Sequence, residues 1–385
     1  MITSAICCDL PARGANVKIS VSGHGVKSRD NIRHQQARER LKVTLSKVTL
    51  SKMRLSQQVP PATLEGVDDT LTAPALRDMA WLLHAPDLVI LPGYAGRPDN
   101  RALGFTPHGT LAAWLGHHAA SLAEQPWGGL HRARMGHYHE RLWHYLLDHA
   151  PDTRLLARNV RVFQRRNTLG ELDMLYRTRR DPAPVHLEVA IKFYLGLPEG
   201  PGAAASPSRW IGPGGIDSLA RKSAHMARHQ LAFSAGTAAR QTLRHWLAPR
   251  DSGETLPPLR PQFAMPGVLF YPWHATLPAP EGSTPDHHRG LWCYAQDWPA
   301  LRASLGEIAL GAWLPKPCWL APPPLTHFTP LDEAANTALA RLEERPVPQQ
   351  LMVYAPETRR TRRVFIVPND WPRQIPLPPV PHWSG

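Results

Sequence analysis

Residues 170–194 read GELDMLYRTRRDPAPVHLEVAIKFY. Two strand-like runs flank an arginine- and proline-rich turn, and each carries charge where a buried strand would hold apolar side chains. Side chains alternate between the two faces of a strand. In the second run Val185, Leu187, Val189, Ile191 and Phe193, continued by Leu195, therefore share one face, and His186, Glu188, Ala190, Lys192 and Tyr194 share the other. In the first run Glu171 and Asp173 fall on one face, and Leu172, Met174 and Tyr176 on the opposite one. If the runs pair as a hairpin, Asp173 and Glu188 converge on one cleft. Lys192 shares the Glu188 face, roughly 13 Å further along at the Cα atoms. Charges in such positions require partners or a metal ion.

Working outward, NVRVFQRRNTLGELDMLY (159–176) reads as a strand, a turn at Asn167–Gly170 and a second strand. Upstream, residues 131–149 (HRARMGHYHERLWHYLLDH) form a predicted helix. Met135, Tyr138, Leu142, Tyr145, Leu146 and His149 line one face, with Trp143 and Leu147 on another beside Glu140. A helix apolar on two sides is packed on two sides. TAPALRDMAWLLHAP (72–86) predicts a helix capped by Thr72, with Pro74 in its first turn and Pro86 ending it. Downstream, GLPEGPGAAASPSRWIGPGG (196–215) is a loop, followed by a helix with Asp217 as its cap. GVLFYPW, RGLWCYAQ, LMVYAPE and RRVFIVP are strand-like pieces between proline-rich turns. They are expected to extend the sheet or to build a small second one.

With 43% hydrophobic residues and 13 Trp in 385, the chain is long and apolar enough to bury a core, while 41 Pro imply many loops. No run of 18 apolar residues occurs, so neither a spanning helix nor a membrane partner is expected. Cys7, Cys8, Cys293 and Cys318 form no CxxC, which excludes a zinc knuckle and a readable disulfide framework and suits a cytoplasmic location. The net charge of +13 is unevenly spread: residues 1–60 hold eleven Lys/Arg against three Asp/Glu, leaving only +5 for the other 325. Residues 1–65 lack aromatics and repeat VTLSK, the composition of a disordered basic extension. The expected organisation is that extension, a core over 70–250, and a C-terminal elaboration of the same domain over 251–385.

Two carboxylates beside a lysine are the ingredients of metal-assisted phosphodiester hydrolysis. Mg²⁺ (or Mn²⁺) takes hard oxygen ligands and keeps several waters, so one Asp, one Glu and a backbone carbonyl suffice as protein ligands. The ion polarises phosphoryl oxygen, and a lysine offsets the charge that grows on phosphate. GELDMLY and HLEVAIK resemble the PD-(D/E)XK nuclease superfamily. That resemblance implies an α/β, restriction-endonuclease-like mixed sheet flanked by helices, here with a C-terminal β-rich elaboration. It also implies Asp173 and Glu188 as metal ligands, Glu140 as the acid on the preceding helix, and DNA or RNA as partner. The family's lysine place is Ala190; Lys192, two residues on along the same face, is the candidate catalytic lysine, reaching back to offset phosphate charge or to assist the attacking water. TAPALRDMAWLLHAP, HERLWHYLL, TLGELDMLY, HLEVAIKFYLG and WIGPGGIDSLARK together are similar to an uncharacterised bacterial domain-of-unknown-function family, family 1853. Its GP…Asp…Lys pattern is matched by Gly212, Pro213, Asp217 and Lys222.

Plainer readings stand beside these. Asp173 and Glu188 also suit a half-exposed sheet face with ion pairs to Lys192 or Arg177. Lys192 serves equally as an ion-pair partner, and Glu140 as a surface carboxylate. Lys222 and Gln230 either reach the sheet site or decorate a capped amphipathic helix. HERLWH is one residue too long for a zinc helix, since five residues turn His139 and His144 about 140° apart. DHH (286–288) reads as solvated loop, and the tryptophans at 273, 292, 298, 313 and 319 as packing rather than base-stacking. With alanine at the lysine place, a nuclease-fold module that binds nucleic acid or protein without cleaving remains the alternative function.

Overall fold

The GELD hairpin forms, but its turn lies two residues earlier than the Asn and Gly signals predict. The computed structural model describes residues 63–379 apart from 66, 107–109, 126–133, 182 and 248–257. In it β4 (Thr153–Gln164) and β5 (Asn167–Thr178) pair with Gln164 opposite Asn167. The turn is therefore Arg165–Arg166, with Arg165 at φ +56°. The basic extension predicted for residues 1–65 lies outside the described residues except at its end. There β1 (Thr63–Leu64) pairs with β2 (Val67–Asp68), and Glu65 enters a buried ion pair.

Three helices precede the hairpin: α1 (Pro74–His84), α2 (Thr110–Glu124) and α3 (Met135–His149), with a short β3 (Ala95–Gly96) after α1. Ala73, not Thr72, is the N-cap of α1, with Pro74 in the first turn as expected. Residues 131–133 of the predicted second helix lie outside the described residues. On α3 Tyr138, Leu142, Trp143, Tyr145, Leu146 and Leu147 are all buried, so that helix is packed on two sides. Burying each such side chain contributes about 1.5–3 kcal/mol to holding α3 in the core. His149 is exposed instead, its ring stacked on Tyr145 at 4.2 Å.

The run expected as one strand over 185–195 is two, β6 (Val185–Val189) and β7 (Lys192–Gly196). Each pairs in parallel with half of a second broken strand, β9 (Arg260–Ala264) and β10 (Gly267–Pro272). The register does not slip, Val189 facing Ala264 and Lys192 facing Gly267. Ala190 N–H donates to Ala264 O and Lys192 N–H to Pro266 O, while Pro266 has no N–H to return. At the crossing, a Cβ on residue 267 would stand 1.7 Å from the Lys192 carbonyl oxygen, so only glycine fits. The alternation also survives. Ile191, Phe193 and Leu195 join Leu187 and Met174 in the core under α1–α3, while Ala190 and Tyr194 pack on the other side.

This broken pair links two mixed sheets. The smaller runs β3-β9-β6-β5-β4. The larger needs β8 (Trp210–Ile211), β11 (His288–Tyr294), β12 (Leu310–Leu314), β13 (Thr329–Pro330), β14 (Gln349–Ala355) and β15 (Arg360–Val367). Its order is β13-β12-β14-β15-β11-β10-β7-β8, with β7, β10, β11 and β15 parallel. The C-terminal strands thus build the larger sheet, not a small one. Helices α4 (Leu219–His225), α5 (Thr237–Leu247), α6 (Trp298–Ser304) and α7 (Leu331–Glu344) complete a mixed α/β architecture. Among the described residues no helix is long and apolar enough to cross a membrane.

One loop expectation fails because polar groups found partners. His287 is buried with its ring 2.9 Å from the Tyr271 hydroxyl, and half-buried His288 opens β11, so the two histidines of DHH are packed while Asp286 stays exposed. Arg363, 1% exposed, donates to Glu65, to Gln350 and to the Trp319 and Leu320 carbonyls, tying β15 to the loop after β1. Burial alone would raise the Glu65 carboxyl, but Arg363 holds it below the ordinary range. Trp292, Trp298 and Trp319 are buried packing residues.

Candidate functional site

Met174 faces Leu187 in the β5–β6 register, so one further step sets Asp173 opposite Glu188. There the strands part, and the two acids bridge the opening. Val189 N–H donates to Asp173 Oδ2 at 3.0 Å, and Asp173 N–H donates to Glu188 Oε1 at 3.3 Å. Glu188 is fully buried; its Oε1 also contacts His186 Nε2 at 2.7 Å, and its Oε2 accepts from Gln230 Nε2 at 2.5 Å. Asp173 is only half-buried as a residue. Burial, then the negative charge of Glu188, pushes its carboxyl up to about 8, with Glu140 adding to the rise. The Val189 N–H and Lys222 oppose that shift without cancelling it. Burial and the neighbouring negative charge thus both favour the protonated form of Asp173.

Glu140, from α3, sits close enough to act on Asp173 electrostatically. Its Oε1 accepts from Asn159 Nδ2 at 2.5 Å and lies 3.7 Å from His144 Nε2. Burial, then Arg158 and Arg141, pushes His144 down to about 4, so a neutral imidazole stands beside the acids. His139 points elsewhere, its Nε2 accepting from Trp143 Nε1, in keeping with the separation that excludes a shared zinc.

The lysines divide. Lys192 Nζ lies 2.5 Å from Asp217 Oδ2, which also accepts from Tyr194 OH at 3.0 Å. Asp217 is therefore not the helix cap; Ser218 caps α4, its Oγ accepting from Arg221 N–H. Lys222 is the lysine tied to the acids. Its Nζ donates to Gln230 Oε1 at 2.8 Å, and Gln230 in turn donates to Glu188. Burial, then Lys192, lowers the Lys222 pKa, against the pull of Glu188, Asp173 and Asp217. On a regular α-helix residues eight apart are about 80° out of line. Here α4 runs into a π-helical turn, Met226–Leu231, whose wider i→i+5 winding removes most of that offset. That turn lets Gln230 meet both Lys222 and Glu188.

The structure thus joins Asp173 to Glu188, brings Glu140 alongside, and engages Lys192 with Asp217. Among the described residues no group of three or more His, Cys, Asp or Glu side chains is arranged to hold a metal ion. The donor set is a pair, which suits a hard divalent cation keeping most of its waters. Asp173 Oδ1 makes no hydrogen bond among the described residues, and the raised Asp173 carboxyl is the electrostatic demand a cation would meet. Gln230, His144 and His186 carried no motif. The signals available were His186 on the Glu188 face, and Gln230 on the predicted helix that also carries Lys222 of the GP…Asp…Lys pattern.

A family model described as a domain of unknown function, DUF1853, matches residues 77–367, and the chain belongs to that family. No curated protein matches the chain significantly, and neither does any solved structure.

Proposed function

We propose that this protein is a restriction-endonuclease-like, Mg²⁺- or Mn²⁺-dependent hydrolase of phosphodiester bonds in DNA or RNA. The observation that carries the reading is the cross-strand pair of Asp173 and Glu188 at the parting of β5 and β6, with Asp173 held up near 8 by burial and then by the Glu188 charge. These two residues would hold the ion, which when bound supplies Lewis-acid polarisation of a phosphoryl oxygen.

The chain's own groups do the rest. Gln230 and His186 fix the Glu188 carboxylate through both oxygens. Lys222, half-buried and with its pKa lowered by burial, offsets negative charge developing on the phosphate, the role the sequence suggested for Lys192. Lys192, Asp217 and Tyr194 hold the start of α4 in place. Glu140 orients groups around Asp173 together with neutral His144. The test is cleavage of branched, single-stranded and duplex substrates with Mg²⁺ or Mn²⁺. Activity lost in Asp173→Asn and Glu188→Gln supports the reading; activity that survives both removes it.

The alanine at position 190, where the family lysine would stand, favours a second reading, a binding module of the same fold. Metal binding without cleavage of any substrate would select it.

A further inference from the structure

We propose a second, separate site: a phosphate-binding pocket built on Arg289 and Arg362. It does not depend on the hydrolase reading. In the larger sheet β11 and β15 are parallel, Leu291 facing Val364. Carrying that register back two residues sets Arg289 beside Arg362 on neighbouring strands, about 5 Å apart at the backbone. Like charges side by side on a sheet face repel. Among the described residues neither arginine has a carboxylate partner. Both instead line an open pocket of about 450 Å³, with Thr276 and Tyr271.

One arginine is fixed before any ligand arrives. The Arg289 guanidinium lies 3.8 Å over the centre of the Tyr271 ring. Tyr271 is itself held, its hydroxyl 2.9 Å from His287 Nε2 and its ring against Trp210. Arg289 makes no side-chain hydrogen bond among the described residues, which leaves its donors for an oxyanion, a group that a guanidinium can grip with two hydrogen bonds. Two such cations match a doubly charged phosphate better than a single carboxylate. The Thr276 hydroxyl is a neutral donor on the same wall. The ligand class is a phosphate group, free or terminal on a small molecule or a nucleic-acid strand.

The test is calorimetric titration of the full chain, at low salt, with inorganic phosphate, and with a short oligonucleotide carrying either a 5′-phosphate or a 5′-hydroxyl. Saturable phosphate binding is expected, weakened about tenfold or more in Arg289→Gln/Arg362→Gln, in part by Arg289→Lys, and not by Asp173→Asn. A preference for the 5′-phosphorylated strand assigns the pocket to strand ends, and binding of free phosphate alone assigns it to small phosphates. Unchanged affinity in the double variant, or binding no stronger than that of chloride, overturns the proposal. Should the double variant fail to fold, the wild type decides. Phosphate must slow phenylglyoxal modification of Arg289 and Arg362 but not of Arg360, and equal rates overturn the site.

Discussion

Asp173 and Glu188 stand opposite one another where β5 and β6 part, each carboxylate taking a backbone N–H from the other's strand. They are stitches in the sheet as well as neighbouring charges. Substitutions that test chemistry should therefore keep their shape, and Asp173→Asn and Glu188→Gln do.

Stability should depend on pH through this pair. An Asp carboxyl held up near 8 keeps its proton in the folded chain, whereas the unfolded chain loses it near 4. The folded state then binds more protons between those values, so stability falls as pH rises from about 4 to 8 and stays low above. Thermal melts in chelator should show that decline, and Asp173→Asn should flatten it. An equally steep decline in the variant would place its source elsewhere.

The two lysines should separate in kinetics. Lys222→Ala is expected to lower cleavage about 100-fold, because that ammonium is the one coupled to Glu188 and Asp173. Lys192→Ala is expected to cost about tenfold, acting through the Asp217 contact. Single-turnover rates on one substrate decide this, and the reverse order returns the role to Lys192.

The crossing of the sheets rests on a glycine. Gly267→Ala drives a methyl into the Lys192 carbonyl and should cost about 3 kcal/mol or more. Gly116, inside α2 with open space around it, offers the contrast: Gly116→Ala should stabilise by about 0.5–1 kcal/mol. Urea unfolding of both variants gives the comparison.

Arg363→Met should destabilise by about 3–5 kcal/mol, since it leaves Glu65 a buried carboxylate without its cation. Adding Glu65→Gln should recover part of the loss. Equilibrium unfolding of the single and double variants measures the coupling.

Strand phase and the two packed sides of α3 were legible in the sequence, because alternation and helical spacing are local properties. The break at Ala190–Ile191 was not, since it depends on Pro266 and Gly267, some seventy-five residues away. The hairpin turn was misplaced because Asn167 and Gly170 are turn formers, yet Arg165 takes the positive φ. At the site, the convergence of Asp173 and Glu188 could be read from period two once the two strands were taken to pair as a hairpin. Lys222 and Gln230 could be read either as reaching those acids or as decorating a surface helix, and the sequence did not decide between the two, because a π-helical turn has no plain sequence signature and shifts the face they share. His287 and His288 looked solvated, since their partners Tyr271 and Glu65 are distant in the chain.

Calorimetric titration with Mn²⁺ tests the central claim most directly. The wild type should bind one ion with an affinity that rises from pH 6 to 8 and falls at least about tenfold in Asp173→Asn and in Glu188→Gln. A wild type that binds no ion, or variants that bind as tightly as the wild type, would contradict the account.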